Sequence, residues 1–508
     1  MRSRGHCSLT DGSEYRQPWG WGKIMREIGG AVIMRVPFYD RIRMSAALCL
    51  AVGLTASGCV TSPVYTIKQP AGPPDCLQQA PGRDVLVGLA VSGGGSRAAL
   101  FAASAYEALG QMRVGPGNRS LLEQVSHISS VSGGSLASAY YVVEKPAREV
   151  PVLTPDGKLT EEYQAFFARF KETMARDYEK PLFWKNMFRL RWVNPAWTAV
   201  SLRDVLEETY LGDLRLRDLA VRQARGDSPY FLINTTLYND GRRLVWSTLD
   251  RDALRYDFIH DLQQKPDWER MTPESEQILR SRWEDLQSRT PEDLKLDQCP
   301  VKVAMAVAAS MSFPPIIGPI TVGTEGEDQY WHIGDGGMSD NTGAESLLMA
   351  FLHQLQKGKA KRAVILALDS SFPFDVGGAS LNHRKEGFSF FDADYSRIPS
   401  IMEERSLAYR AMFFRVAQHQ NLFPASVEVV VIRLKHTDAQ WKEDLSDLPE
   451  SCRKEGVDWK SPREVTEHVS GVVTRLFLKS TCDQDLVAQA ARKVIAQAEP
   501  AIRKAMER

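Results

Sequence analysis

Ser132 stands in the run Ser129-Ser130-Val131-Ser132-Gly133-Gly134-Ser135, where small residues flank a hydroxyl on both sides. Ser130-Val131-Ser132-Gly133-Gly134 approximates G-x-S-x-G, the sharp strand-to-helix turn that presents a serine as a nucleophile instead of packing it. The departure is Ser130, which replaces the first glycine. A second stretch, Ser92-Gly93-Gly94-Gly95-Ser96-Arg97, has three consecutive glycines whose backbone N–H groups are free to point at a negative charge, as an oxyanion hole needs. A third places an acid, Asp335, in the run Trp331-His332-Ile333-Gly334-Asp335-Gly336-Gly337-Met338-Ser339-Asp340-Asn341. Serine and donor loop together make two parts of an acyl-transfer site. Taken singly, each of the three stretches has a plainer reading: a Gly/Ser turn opening a helix, a tight βα turn, an Asp-Gly turn.

The elements around them are strands and helices in alternation. Val85-Leu86-Val87-Gly88-Leu89-Ala90-Val91 is a continuous apolar run, followed by the glycine loop and a helix over Ala98–Leu109. That is a buried parallel strand, a turn and a helix whose N-terminal dipole adds to the loop amides. The elbow lies between a strand candidate, Val125-Ser126-His127-Ile128, and a helix candidate, Leu136–Val143. Gly93-Gly94-Gly95-Ser96-Arg97-Ala98 also fits the dinucleotide fingerprint G-x-G-x-x-A, which expects an acid closing the second strand. Here that strand runs into Ser129, Ser130 and Ser132, and the nearest acid, Glu123, precedes it. A P-loop is excluded, because no Gly-Lys-Ser/Thr follows. Later strands are expected at Tyr230–Leu237, Leu244–Ser247, Ala363–Leu368 and Val427–Leu434, with helices over Ala344–Leu355 and Gln484–Glu507, the last interrupted by Pro500. Residues 261–298 read as an exposed helical insertion. Residues 181–200, dense in aromatics with Lys185, Arg189 and Arg191 interleaved, suit either a lipid interface or a core helix capping the sheet. Gly377-Gly378 and Gly387–Phe391 mark a loop at the substrate mouth.

Across 508 residues, Lys plus Arg equals Asp plus Glu at 63 each, which argues against a nucleic-acid binder. Near the N-terminus, Arg35, Arg41 and Arg43 precede the apolar run Met44–Leu54 and the small residues Thr55-Ala56-Ser57-Gly58-Cys59. This is the grammar of a secretory signal, and the run is too short to span a membrane. Ala56-Ser57-Gly58-Cys59 resembles a bacterial lipobox, in which cleavage leaves Cys59 as a lipid-modified N-terminus that tethers the rest to a membrane surface. Val60 gives a mild preference for the outer membrane of the cell envelope, and Met34 is a plausible start. After Cys59, Cys76, Cys299, Cys452 and Cys482 permit two disulfides in three connectivities. Nothing in the spacing of these residues calls for a metal or another cofactor.

The glycine loop and the elbow together, one βα unit apart, resemble the patatin-like phospholipase family, whose third motif, Asp-Gly-Gly or Asp-Gly-Ala, is matched by Asp335-Gly336-Gly337. Between them Val303–Ala309 and Ser310-Met311-Ser312-Phe313-Pro314 resemble the family's alanine-rich helix ending in a Ser-x-x-Phe-Pro turn, and Ser92-Gly93-Gly94-Gly95 is closer to the cytosolic phospholipase A2 branch. The resemblance covers roughly residues 84–145 and 300–370. It implies an α/β fold of three layers, a central mostly parallel sheet flanked by helices with helical insertions. It also implies a Ser-Asp dyad without histidine: Ser132 as nucleophile, Asp335 as base, and the amides of Gly93, Gly94 and Gly95 as the oxyanion hole. Arg97 and Gly134 support the loop, although Arg97 could instead meet a lipid phosphate. His127 and His332 are then structural, and Asp340 is a turn or cap acid.

The expected organisation is a removed segment 1–58, a lipidated N-terminus and tether 59–82, a catalytic domain 83–440 with insertions near 150–225 and 250–298, and a mainly helical extension 441–508. The expected function is a membrane-tethered serine acyl hydrolase acting on phospholipid or a related ester, of open oligomeric state. Rival readings are a non-catalytic lipoprotein binding lipid or a partner on the same fold, and a lipid acyltransferase.

Overall fold

Alternate residues of the apolar runs face opposite ways, and the protein's two main cores divide along that alternation. The structure, a computed structural model, describes residues 62–115, 119–188, 191, 194–263, 272–314, 316–371, 408 and 428–507. The lipobox and the segment before it, and the loop of residues 377–391, lie outside the described residues. In chain order the strands of the main sheet are β1 (Val64–Ile67), β2 (Val85–Val91), β3 (His127–Val131), β4 (Tyr230–Leu237), β5 (Arg243–Trp246), β6 (Ile320–Thr324), β7 (Tyr330–Asp335), β8 (Arg362–Asp369) and β9 (Glu428–Lys435). Val87, Leu89 and Val91 of β2, with Val364, Leu366 and Leu368 of β8, join one core; Leu86, Ala90, Ala363, Ile365 and Ala367 join the other.

The helices around the sheet include α1 (Gly95–Gln111), α2 (Gly133–Glu144), α3 (Glu161–Ala175), α4 (Glu179–Phe188), α5 (Pro195–Leu206), α6 (Val303–Ser310), α7 (Ala344–Gln356), α8 (Pro462–Gly471) and α9 (Thr481–Glu507). Helices α1, α2, α3 and α9 cover the first core, while α7 covers the second. Contact on that second face is close: a Cβ on Gly88 would lie 2.7 Å from the Phe351 ring. Of the insertion expected over residues 261–298, the helix Pro273–Leu286 buries none of its residues, as its charge pattern predicts. Asp261 and Leu262 before it and Gln287, Ser288, Thr290, Leu294 and Gln298 after it are buried, however, because Arg289 pairs with β5 and draws that stretch onto the sheet.

The sheet runs β1-β6-β7-β4-β3-β2-β8-β9, with β5 paired to β4. Strands β4, β3, β2, β8 and β9 are mutually parallel, whereas β7 lies antiparallel to both β4 and β6. Register is what matters for function. Val91 pairs with Ser130, Val131 with Asn234, and Thr235 with Asp335, so the ends that lead into the glycine loop, Ser132 and the Asp335 turn lie side by side. Ligand sites of open α/β sheets form at such carboxyl ends.

Three local expectations change, and the open cysteine connectivity is settled. Strand β3 begins at His127 and takes in Ser129, Ser130 and Val131, so the bend is confined to Ser132. Neighbouring parallel strands on both sides fix those serines in extended backbone. Helix α9 continues through Pro500. The lost N–H removes one helical bond, but buried Val494 and Ile495 before it and Ile502, Ala505 and Met506 after it hold both halves against the core. The cysteines pair as Cys76–Cys299 and Cys452–Cys482. Residues 181–200 do not form one helix but two, α4 and α5, the first of them largely exposed.

Candidate active site

Ser132 sits between β3 and α2 with φ 50° and ψ −123°, a left-handed backbone that a side chain rarely adopts. Such a conformation costs on the order of 1–3 kcal/mol and persists only where its surroundings impose it. Here three bonds do so. The Ser132 amide donates to Ser310 Oγ at 2.9 Å, and its carbonyl accepts from Ser135 N at 2.8 Å and Leu136 N at 3.2 Å. Ser310, the last residue of α6, in turn donates to the Asn234 carbonyl of β4 at 2.6 Å. Ser130, the departure from the glycine pattern, is fully buried, with its hydroxyl 2.9 Å from that of Ser135, which lies 3.0 Å from Ser310. Its side chain therefore extends one hydroxyl chain behind the elbow, and the turn forms without the first glycine.

The glycine loop lies against this elbow backbone to backbone. A Cβ on Gly93 would come 3.2 Å from Ser132 Cβ, and one on Gly133 would sit 2.0 Å from the Gly95 carbonyl oxygen. One on Gly134 would meet the carbonyls of Ser92 and Val91 at 2.5 and 2.6 Å, so Gly134 lets α2 close on the end of β2. The three expected oxyanion donors are not equivalent. Gly93 N donates to the Asn341 carbonyl at 2.9 Å, which commits it to the acid loop. Among the described residues the amides of Gly94 and Gly95 have no acceptor, and they begin α1, where the helix dipole favours negative charge. The expectation thus narrows from three amides to two, with Gly93 serving as a residue that must have no side chain.

Asp335 ends β7 almost fully buried. Its Oδ1 accepts from Gly337 N at 2.8 Å, and the carboxylate faces the Ser132 side chain. Burial raises its pKa from 3.8 to about 7, outweighing the Gly337 amide and the Ser132 side chain, which both favour the charged form. Its backbone is pinned as well: Asp335 N donates to the Ser312 carbonyl at 3.0 Å, and Thr236 Oγ1 donates to its carbonyl at 2.8 Å. A carboxyl poised near neutrality and facing a serine side chain, beside two amides without an acceptor among the described residues, can move a proton and stabilise an oxyanion.

The remaining candidates separate by location. Arg97 is completely buried and donates to the Ser370 carbonyl through Nε (3.1 Å) and Nη2 (2.9 Å), and to the Val472 carbonyl through Nη1. It ties the glycine loop to the end of β8 and to the C-terminal segment, and its burial removes it from any lipid phosphate. Asp340 accepts from Thr342 N, Thr342 Oγ1 and Glu345 N and caps the entry to α7. His127 lies buried behind the sheet with its pKa pushed down to about 3 by desolvation, next to Ser126 and Gln354. His332 faces Thr321 on the neighbouring strand. Among the described residues no histidine bonds to Ser132 or Asp335. A broad depression of about 1020 Å³ bordered by Tyr256, Trp283 and His353 shares no residue with this site.

A family model described as patatin-like phospholipase matches residues 89–348, just over half of the chain. The chain belongs to that family. No curated protein sequence matches it significantly. Solved structures similar to this patatin-like phospholipase include human GIVD cytosolic phospholipase A2, with a TM-score of 0.41 and 12% identity over 84% of this chain and 60% of that one. The same human protein in complex with methyl gamma-linolenyl fluorophosphonate inhibitor and terbium chloride gives 0.41 and 12% over 83% and 59%. The chain thus spans about 60% of the length of the human protein.

Several residues that build the patatin-like site went unassigned in the sequence. Ser310 lies inside a recognised motif, and a hydroxyl in an otherwise apolar helix was its signal. Asn341 follows the acid turn closely and meets Gly93. The third contributor lies beyond the family match: Ser96 N donates to the Arg475 carbonyl at 2.6 Å, and a Cβ on Gly95 would lie 2.2 Å from that oxygen. Nothing in the residues of 472–476 foretells that they pack on the glycine loop.

Proposed function

We propose that this protein is a serine acyl hydrolase that cleaves carboxylic esters of phospholipids or related lipids, tethered to an envelope membrane through a lipidated Cys59. The observation that carries the reading is the buried Asp335 carboxyl facing the Ser132 side chain, beside the amides of Gly94 and Gly95, which have no acceptor among the described residues. In the first half-reaction Ser132 Oγ attacks the ester carbonyl carbon while its proton passes to Asp335. The carbonyl electron pair moves onto oxygen, where the two amides and the α1 terminus receive the charge. Collapse breaks the bond to the alcohol, which leaves with the proton from Asp335. Water then attacks the acyl-serine, gives its proton to Asp335, and the fatty acid departs as Ser132 recovers that proton. The dyad needs no third member because burial has already brought the Asp335 pKa near neutrality.

The tether is supported by the lipobox-like Ala56-Ser57-Gly58-Cys59 and by the pairing of all four later cysteines, which suits an oxidising compartment. Among the described residues no helix is long and apolar enough to cross a membrane. The test is product analysis on phospholipids, lysophospholipids, triacylglycerols and thioesters, with Ser132→Ala as control. Release of free fatty acid by the parent chain and not by the variant is expected. Transfer of the acyl group to glycerol in preference to water would make it an acyltransferase, and no turnover of any ester would favour a non-catalytic lipid-binding protein.

A further inference from the structure

Helix α4 presents its apolar side outward. Leu182 and Asn186 are its buried residues, and Asn186 Nδ2 lies 3.3 Å from Thr198 Oγ1 of α5. On the other face Phe183, Trp184, Met187 and Phe188 are 57%, 44%, 39% and 79% exposed. With Lys180 they occupy positions i, i+3, i+4, i+7 and i+8, one continuous stripe of a helix. Trp184 stacks on Phe188 and meets Phe183 edge-on, each at 5.5 Å between centroids, and among the described residues none of the three meets another ring. A contiguous aromatic face in water is costly unless something covers it.

Its position in the molecule says what. At one end of α4, Tyr178 N donates to the Leu476 carbonyl and Leu476 N to Glu179 Oε1, both at 3.3 Å. The preceding residue, Arg475, is the one whose carbonyl holds Ser96 of the glycine loop. At the other end, the α5 cap residue Asn194 donates to Ser62 Oγ at 3.3 Å. Ser62 is three residues after Cys59 in sequence, a span of at most about 11 Å of chain. Helix α4 therefore starts at the segment that holds the glycine loop and leads to the α5 cap that meets Ser62. Charge fits the same partner: Arg176, Lys180 and Arg475 are exposed and lie within two residues in sequence of the Tyr178–Leu476 and Glu179–Leu476 contacts at the start of the helix. The nearby acids are engaged within the protein, Asp177 with the Lys180 amide, Glu179 with Leu476 and Glu208 with Lys185.

We propose that Phe183, Trp184, Met187 and Phe188 form the face by which the protein seats on an anionic phospholipid bilayer, with the Ser132 mouth at one end of the helix. The aromatic rings enter the headgroup boundary while the basic residues meet lipid phosphates. The docking rests on the hydrolase reading only where activity is the readout. Hydroxyl-radical footprinting of the full chain, with and without vesicles of phosphatidylcholine and phosphatidylglycerol, tests it without catalysis. Oxidation of the four residues should fall several-fold on vesicle binding, while Ile278 and Leu286, exposed on the insertion helix, stay unchanged. Unaltered oxidation with vesicles bound overturns the proposal. So does protection before vesicles are added, which would mean that the chain itself or a second copy covers the face.

A double variant, Trp184→Ser with Phe188→Ser, provides the second arm. Hydrolysis of vesicle phospholipid should fall about tenfold relative to the parent, with hydrolysis of soluble p-nitrophenyl butyrate and the melting temperature unchanged. A parallel loss of both activities would mark the face as structural and overturn the proposal. A parent chain that cleaves neither substrate would instead fail the hydrolase reading, leaving the footprint to decide the docking.

Discussion

Ser132 faces Asp335, a group whose burial brings its pKa from 3.8 to about 7 against the opposing influence of the serine side chain. A base works only when deprotonated, so kcat/KM for a soluble short-chain ester should fall about tenfold per pH unit below the pKa of Asp335. A pH–rate profile measured on the full chain checks this. A flat profile from about pH 5 to about pH 8 would exclude Asp335 as the titrating base.

The same shift has a consequence for stability. A carboxyl whose folded pKa lies above its unfolded value binds more protons when folded, so stability declines as pH rises from near 3.8 through about 7. Asp335→Asn removes that penalty. Above pH 7 the variant should be the more stable, by up to roughly 4 kcal/mol, with the gain vanishing toward pH 4. Denaturant midpoints across that range measure it, and a variant less stable at high pH would contradict the assigned direction.

Ser130→Gly restores the glycine of the family pattern but removes the contact with Ser135 Oγ. Because the elbow is held by Ser310 and Asn234, activity should persist while stability drops by about 1–2 kcal/mol. Thermal unfolding and ester hydrolysis, taken together, separate the two effects.

Gly133→Ala probes the fit of elbow to glycine loop. Its new Cβ would lie 2.0 Å from the carbonyl of the Gly95–Ser96 peptide, which must move and so displace the loop that holds the Gly94 and Gly95 amides. A displacement of an ångström at a positioned group costs about 10²-fold, so kcat/KM should fall at least that far. Wild-type activity in this variant would show that the loop does not serve the reaction.

Much of this was legible in the sequence because it is local. The continuous apolar run of β2 and the stretch Tyr230–Leu237 of β4 marked strands with the bounds they have in the structure. Three short motifs named Ser132, Asp335 and the glycine loop before any distance was known. What the sequence could not reveal is long-range. Ser310 reaches Ser132 across 178 positions, and Arg97 reaches Val472 across 375, between segments with no motif in common. Nor does composition tell a carbonyl-bound arginine from a phosphate-binding one, because burial alone decides it. The aromatic run at 181–200 carried two opposite readings for the same reason: its periodicity marks a face without saying whether that face turns in or out.

The central claim is that Ser132 is a nucleophile activated by Asp335, and labelling by a fluorophosphonate probe tests it most directly. The full chain should be labelled at Ser132, with labelling abolished in Ser132→Ala and slowed about 10²-fold or more in Asp335→Asn. A folded parent chain that takes up no probe, or a Ser132→Ala variant labelled as fast as the parent, would contradict it.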